Sequence, residues 1–155
     1  MTRVCSDVLE ALRATGMTLA AAESLTGGGI GAALTAVPGA SDVFKGGVVS
    51  YVDEVKEKLL GVSREILENY GAVSAQTAGA MASGVRELLG ADVAVSVTGL
   101  AGPGGDEFGH SVGTVFIGFS GLNKSLVREF RFVGNREEVR SQTVFAALKL
   151  ILDCI

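Results

Sequence analysis

The chain has 155 residues, 48% hydrophobic and 19% charged, with 22 glycines, two prolines and no tryptophan. This fits one compact domain, residues 1–155, with core enough to fold without a metal or disulfide staple. That apolar content excludes intrinsic disorder, and 17 acidic against 13 basic side chains, a net charge of −4, leave no broad basic surface for a nucleic-acid backbone. Mean hydropathy is +0.42, yet the longest uncharged stretch, Ser24 to Ser41, holds five glycines, a proline and four hydroxyl residues, a poor membrane span.

Cys5 and Cys154 have no CxxC spacing and His110 is the only histidine, so zinc frameworks and redox pairs lack parts. Two free thiols and an N-terminus without an apolar signal segment lead us to expect a cytoplasmic protein.

Val4, Val8 and Leu12 recur on one face of a helix over 3–14 that Gly16 stops. Met17 to Ala22 reads as a buried strand, followed by a tight turn at Thr26-Gly27-Gly28-Gly29 and a small-residue helix up to Pro38-Gly39. Phe44 to Val52 reads as a second strand, after which Asp53 can cap a helix ended by Gly61. A short helix near 63–69 and a longer one from Ser74 follow, the latter carrying Met81, Val85, Leu88 and Leu89. Asp92 to Thr98 alternates valine with small residues as a central strand must, and Val112–Phe119 with Ser125–Val133 forms a hairpin. Asn135 with Glu138 makes a capping box for a final helix through Val144, Leu148 and Ile151. The order predicts a three-layer α/β/α domain around a mixed, mostly parallel sheet with one C-terminal β-hairpin.

Two common glycine motifs fail. Gly99–Gly104 starts a phosphate loop, but Gly105 and Asp106 stand where lysine and a hydroxyl residue are needed, and Leu34 occupies the third glycine position of a dinucleotide fingerprint begun at Gly29. Ser24, in contrast, sits where a strand of an α/β sheet ends, beside glycines whose N–H groups can approach an anion and a helix start that favours one. A capping turn with packing glycines explains the same residues. Lys56 follows Tyr51 at a strand-to-helix junction, where both can enter one cleft. It serves as a base only if desolvation or a nearby cation lowers its pKa, and a solvated helix charge beside Asp53 is the plainer alternative. Thr98 and the Gly99–Gly105 loop offer a hydroxyl and amides, or simply a turn. Arg136 opposes the dipole of the last helix unless an anion sits there, and His110 reads as a surface-loop residue.

The segments Ala22-Glu-Ser-Leu-Thr-Gly-Gly28, Tyr51-Val-Asp-Glu-Val-Lys56, Gly71-Ala-Val-Ser74, Val97-Thr-Gly-Leu-Ala-Gly-Pro-Gly104 and Val112-Gly-Thr-Val115 together resemble the CinA C-terminal domain family, across nearly the whole chain. The resemblance implies a nicotinamide-nucleotide amidase of stand-alone form, converting nicotinamide mononucleotide to nicotinate mononucleotide and ammonia. It implies Ser24 as nucleophile, Lys56 as base and Tyr51 as proton relay, with amides around Thr26, Gly27 and Gly28 as oxyanion hole. It places Thr98, Gly99, Ala101 and Gly102 against the substrate and Arg136, or Arg140 one turn on, against its phosphate. No metal or cofactor is implied, no nucleic acid or membrane partner, and a homo-oligomer is. Leu25 departs from the family pattern, in which most relatives carry cysteine. The alternatives are a non-catalytic nucleotide-binding or interaction module of the same fold, and a metal-dependent phosphohydrolase, for which the sequence shows no carboxylate cluster.

Overall fold

The computed structural model describes residues 1–155. Its elements are α1 (Thr2–Thr15), β1 (Leu19–Glu23), α2 (Gly29–Thr35), a 3₁₀ turn (Ala40–Asp42), β2 (Phe44–Val49), α3 (Asp53–Leu60), α4 (Arg64–Tyr70), α5 (Ala75–Leu89), β3 (Val93–Gly99), β4 (Thr114–Ser120), β5 (Ser125–Arg131) and α6 (Arg136–Cys154). The strands form one sheet in the order β2-β1-β3-β4-β5. β1 pairs in parallel with β2 and β3, while β4 runs antiparallel to both β3 and β5. Four strands therefore point one way, and the expected mixed, mostly parallel sheet with a terminal hairpin is present.

The period-2 alternation of β1 and β3 sorts the helices into layers. Leu19 and Ala21 of β1 and Val93, Val95 and Val97 of β3 join a core with the buried faces of α1, α2 and α6. Ala20, Ala22 and Ala94, on the opposite face, pack with Leu60, Leu67, Met81 and Val85 of α3, α4 and α5. Small residues are needed on this second face because α5 lies close: a Cβ added at Gly118 of β4 would come within 2.7 Å of the Ala78 carbonyl oxygen. Ser96 of β3 also donates across it to the Ala78 carbonyl, at 2.6 Å.

Several boundaries differ from the sequence-based expectation. β1 starts at Leu19 and includes Glu23, because Met17 is drawn back to close the first helix on the Leu12 carbonyl. β2 ends at Val49. Asp53 does not cap α3: Val52 stands at the cap and makes no side-chain bond, while Asp53 is already helical. Ser63 and Ser74 cap α4 and α5, and the capping box of α6 is complete, with both Asn135 and Glu138 bonds formed. Cys5 and Cys154 are free thiols, and no helix is long and apolar enough to cross a membrane.

The connections set up the site. β1 leads into α2 on one face of the sheet, and its neighbour β2 leads into α3 on the other. Adjacent strands whose helices depart to opposite faces leave a crevice at their carboxyl ends, where α/β folds place ligands.

Candidate active site

Ser24 is the first residue past β1. Its N–H donates to the Val97 carbonyl of β3 at 3.1 Å, and its carbonyl accepts the Gly27 N–H at 3.1 Å. The turn passes through Gly27 (φ 58°) and Gly28 (φ 100°), left-handed conformations that a side chain would strain. Glu23, whose role the sequence reading missed, locks the turn from beneath. Its carboxylate is 3% exposed and accepts the Thr26 hydroxyl and the Ile30 N–H at 2.7 Å each and the Gly31 N–H at 3.2 Å. The start of α2 thus already holds an anion, the protein's own. That corrects the expected ligand contacts of Thr26, Gly27 and Gly28: the Thr26 hydroxyl and the Gly27 N–H are engaged inside the turn, and none of the three lines the cavity onto which Ser24 opens. Leu25 points into the core at 4% exposure.

Lys56, in the first turn of α3, is 1% exposed. Its Nζ lies 3.1 Å from Ser24 Oγ, 2.6 Å from the Ser50 carbonyl oxygen and 3.5 Å from that of Tyr51. Burial pulls its pKa below the ordinary 10.5, against the weaker opposing pull of Asp53 one turn earlier. Three partners surround the amine, two of them pure acceptors and one a hydroxyl. The amine is placed to donate to all three, and once it loses a proton it keeps two N–H bonds to the carbonyls and turns its lone pair to the Ser24 hydroxyl.

Ser24 and Lys56 lie at one end of a cavity of about 270 Å³ whose walls include Tyr51, Thr98, the Gly99–Gly102 segment and Arg136. Its lining holds two basic side chains, Lys56 and Arg136, and no carboxylate. Thr98 is 1% exposed and donates its hydroxyl to the Ala72 carbonyl at 2.6 Å, bracing the wall. Gly99 is packed against the Thr114 carbonyl, where a Cβ would intrude to 2.7 Å. The N–H groups of Leu25, Ala101 and Gly102 donate to no backbone oxygen. Arg136 spans the mouth, donating Nη1 to the Gly102 carbonyl at 2.6 Å and Nη2 to the Tyr51 hydroxyl at 2.9 Å.

Two expected roles change. The hydroxyl of Tyr51, a residue 56% exposed, bonds Arg136 and neither Ser24 nor the Lys56 amine, so the relay is not assembled and the amine reaches the alcohol directly. Arg140 faces the other side of the nucleophile turn, donating Nε to the Leu25 carbonyl at 2.9 Å and Nη2 to the Thr26 carbonyl at 3.1 Å. Of the two arginines, only Arg136 lines the cavity. His110 stays in its loop, paired with Asp106 at 2.7 Å. No three histidine, cysteine, aspartate or glutamate side chains converge.

Solved structures share this architecture. A competence-damaged protein (CinA) superfamily protein from Escherichia coli matches with a TM-score of 0.97 and 34% identity, covering 99% of this chain and 90% of that one. A competence/damage-inducible protein from Agrobacterium tumefaciens matches at 0.94 and 38% identity, covering 98% and 93%. In sequence, a putative competence-damage inducible protein of Desulforamulus reducens is 52% identical over 135 residues, 87% of this chain and 33% of that protein. One from Bacillus subtilis is 44% identical over 151 residues, 97% and 36% respectively. The chain thus spans about a third of the length of the curated relatives it matches. Residues 1–155 match the profile of the CinA C-terminal domain, and the chain belongs to that family.

Proposed function

We propose that this chain is a nicotinamide-nucleotide amidase, hydrolysing the carboxamide of nicotinamide mononucleotide to nicotinate mononucleotide and ammonia. The observation that carries the reading is the 3.1 Å contact between Ser24 Oγ and the buried Lys56 amine, in a cavity that holds Arg136 and no carboxylate. Such a cavity favours an anionic substrate, and the buried pair supplies a nucleophile with its base already in reach.

Neutral Lys56 accepts the Ser24 proton as Oγ bonds to the carboxamide carbon and the carbonyl electron pair moves onto oxygen. Collapse of this oxyanion breaks the carbon–nitrogen bond, and Lys56 returns the proton so that ammonia leaves. Water then adds to the acyl ester with Lys56 again as base, and the second collapse, with the proton returned to Ser24 Oγ, releases nicotinate mononucleotide and restores the enzyme. Arg136, at the mouth, is placed to pair with the phosphate, a contact for which the guanidinium fork is suited.

The test is ammonia release from nicotinamide mononucleotide with and without EDTA. We expect EDTA-insensitive release by the wild type and a loss of at least about a thousandfold in Ser24→Ala. Tight nucleotide binding with no ammonia would instead make the chain a binding module, and metal-dependent phosphate release a phosphohydrolase.

A further inference from the structure

Arg136 enters no ion pair of the protein, and it shares the mouth of the Ser24 cavity with Tyr51. A guanidinium carries five N–H groups. Here one goes to the Gly102 carbonyl and one to the Tyr51 hydroxyl oxygen, so the others remain for a further acceptor. The Tyr51 hydroxyl is likewise half used. Its oxygen accepts from Arg136, and its own hydrogen is given to no protein atom.

Tyr51 is pinned by its main chain at the reacting end of the cavity. The preceding Ser50 N–H donates to the Glu23 carbonyl at 2.8 Å, and the Tyr51 carbonyl lies 3.5 Å from the Lys56 Nζ. The side chain runs to the mouth, where it is 56% exposed and where Arg136 is the only protein partner of its hydroxyl. Gly102, Arg136 and Tyr51 thus form a chain of hydrogen bonds that ends on an unspent O–H, beside the unspent N–H groups of a cation. Below them lies a cavity without a carboxylate. Accepting a bond from a cation polarises a hydroxyl and strengthens it as a donor.

From this geometry, and resting on the amidase reading, we propose that Tyr51 binds phosphate: its O–H and the unspent N–H groups of Arg136 hold the same phosphomonoester of the substrate. Arg136 brings the charge, and Tyr51 brings a directed neutral donor whose place Arg136 fixes. Phosphate oxygens accept readily from both kinds of donor. The hydroxyl is then a specificity group for phosphorylated ligands and takes no proton from Ser24.

The experiment compares wild type, Tyr51→Phe, Arg136→Ala and the double variant, since Tyr51→Phe keeps the ring and removes only an exposed hydroxyl. In calorimetry with nicotinate mononucleotide, the reaction product, Tyr51→Phe should bind about tenfold more weakly than wild type, the worth of one hydrogen bond to a charged group. Nicotinate riboside, which lacks the phosphate, should bind the two alike. In turnover of nicotinamide mononucleotide the loss should fall on KM, with kcat and its pH profile unmoved. Where Arg136→Ala has already freed the phenol, adding Tyr51→Phe should cost no more than about twofold. If the wild type binds nicotinate mononucleotide but releases no ammonia, and Tyr51→Phe binds about tenfold more weakly, the phosphate role stands and the amidase assignment falls. Ammonia release with equal binding by wild type and Tyr51→Phe overturns the phosphate role and leaves the amidase. A kcat that falls with KM intact also overturns it, since Tyr51 would then move protons at Ser24. So do an equal weakening toward the riboside, a full tenfold loss in the Arg136→Ala background, or a wild type that binds no mononucleotide.

Discussion

The two ends of strands β1 and β3 both carry polar clusters, and both hold a group whose pKa lies below its ordinary value, for opposite physical reasons. At the amino-terminal end, Asp92 accepts the Thr18 N–H at 2.8 Å and the Thr18 hydroxyl at 2.7 Å, while the Thr18 carbonyl accepts the N–H groups of Asp92 and Val93. These bonds favour the carboxylate and pull Asp92 below 3.8. At the carboxyl end, burial disfavours the Lys56 ammonium and pulls it below 10.5. The first shift stabilises a charged group and with it the fold; the second makes a charged group costly and leaves a base. The first cluster closes on itself. The second keeps capacity to spare: a lysine lone pair, a serine hydroxyl, and the N–H groups of Leu25, Thr26, Ala101 and Gly102 without backbone acceptors. Unspent hydrogen-bonding capacity in a buried place is what separates the candidate site from a structural strut.

The contrast breaks most visibly at Lys56. Lys56→Met keeps the bulk and removes the amine, and kcat should fall about 10²- to 10⁴-fold, the worth of a general base. Activity of the wild type should rise with pH as Lys56 loses its proton, through a midpoint below 10.5, and the variant should lack that limb. Stability carries the same signature. Between the lowered folded value and the unfolded value the folded state binds fewer protons, so the wild type should gain stability relative to Lys56→Met as pH rises through that window. Urea melts across an alkaline pH series check it, and an activity near wild type in Lys56→Met would mean that the two ends do not differ as argued.

The next largest effect belongs to Arg136. Arg136→Ala removes the bridge between Gly102 and Tyr51 together with the positive charge at the mouth. KM for the mononucleotide should rise about tenfold to a hundredfold, the worth of a hydrogen bond to a charged group, with kcat within a few-fold. The nucleoside lacking the phosphate should be turned over equally by both proteins. A fall in kcat with KM unchanged would place Arg136 at the reacting carbon rather than at the phosphate.

The contrast also explains what the sequence disclosed. The apolar run of β1, the alternation of β3 and the caps at Ser74 and Asn135 are local signals, and they carried the central strands and the helix starts. Ser24 and Lys56 stood out because each follows a strand at a turn, and the resemblance named them as partners; their 32-residue separation hides the contact from any local pattern. Arg136 and Arg140 lie four apart on one helix, so periodicity places them on the same face and cannot say which side of the nucleophile turn each reaches. That depends on how α6 crosses α2. Glu23 carried no sequence signal for burial, since charged side chains are ordinarily exposed, and only the amides of α2 that surround it in three dimensions account for its burial. The Tyr51 hydroxyl was drawn away from Lys56 by a residue 85 positions on.

Asp92 tests the closed end, where the effect is smallest and confined to stability. Asp92→Ala removes the acceptor for both Thr18 donors. Because Asp92 is close to solvent, the loss should be about 1 kcal/mol, less than a buried charged hydrogen bond brings. A carboxylate with a lowered folded pKa contributes stability above its unfolded value, here 3.8, and that contribution drains away as pH falls through the lower folded value. The gap in unfolding free energy between wild type and Asp92→Ala should therefore hold at neutral pH and close in acid, the reverse direction from the alkaline gap predicted for Lys56. Ammonia release should be equal in both proteins when they are folded, since the strands pass through the core before reaching Ser24. A variant that stays folded yet loses activity would show that the strut at one end sets the geometry at the other, and the two clusters would then be one functional unit.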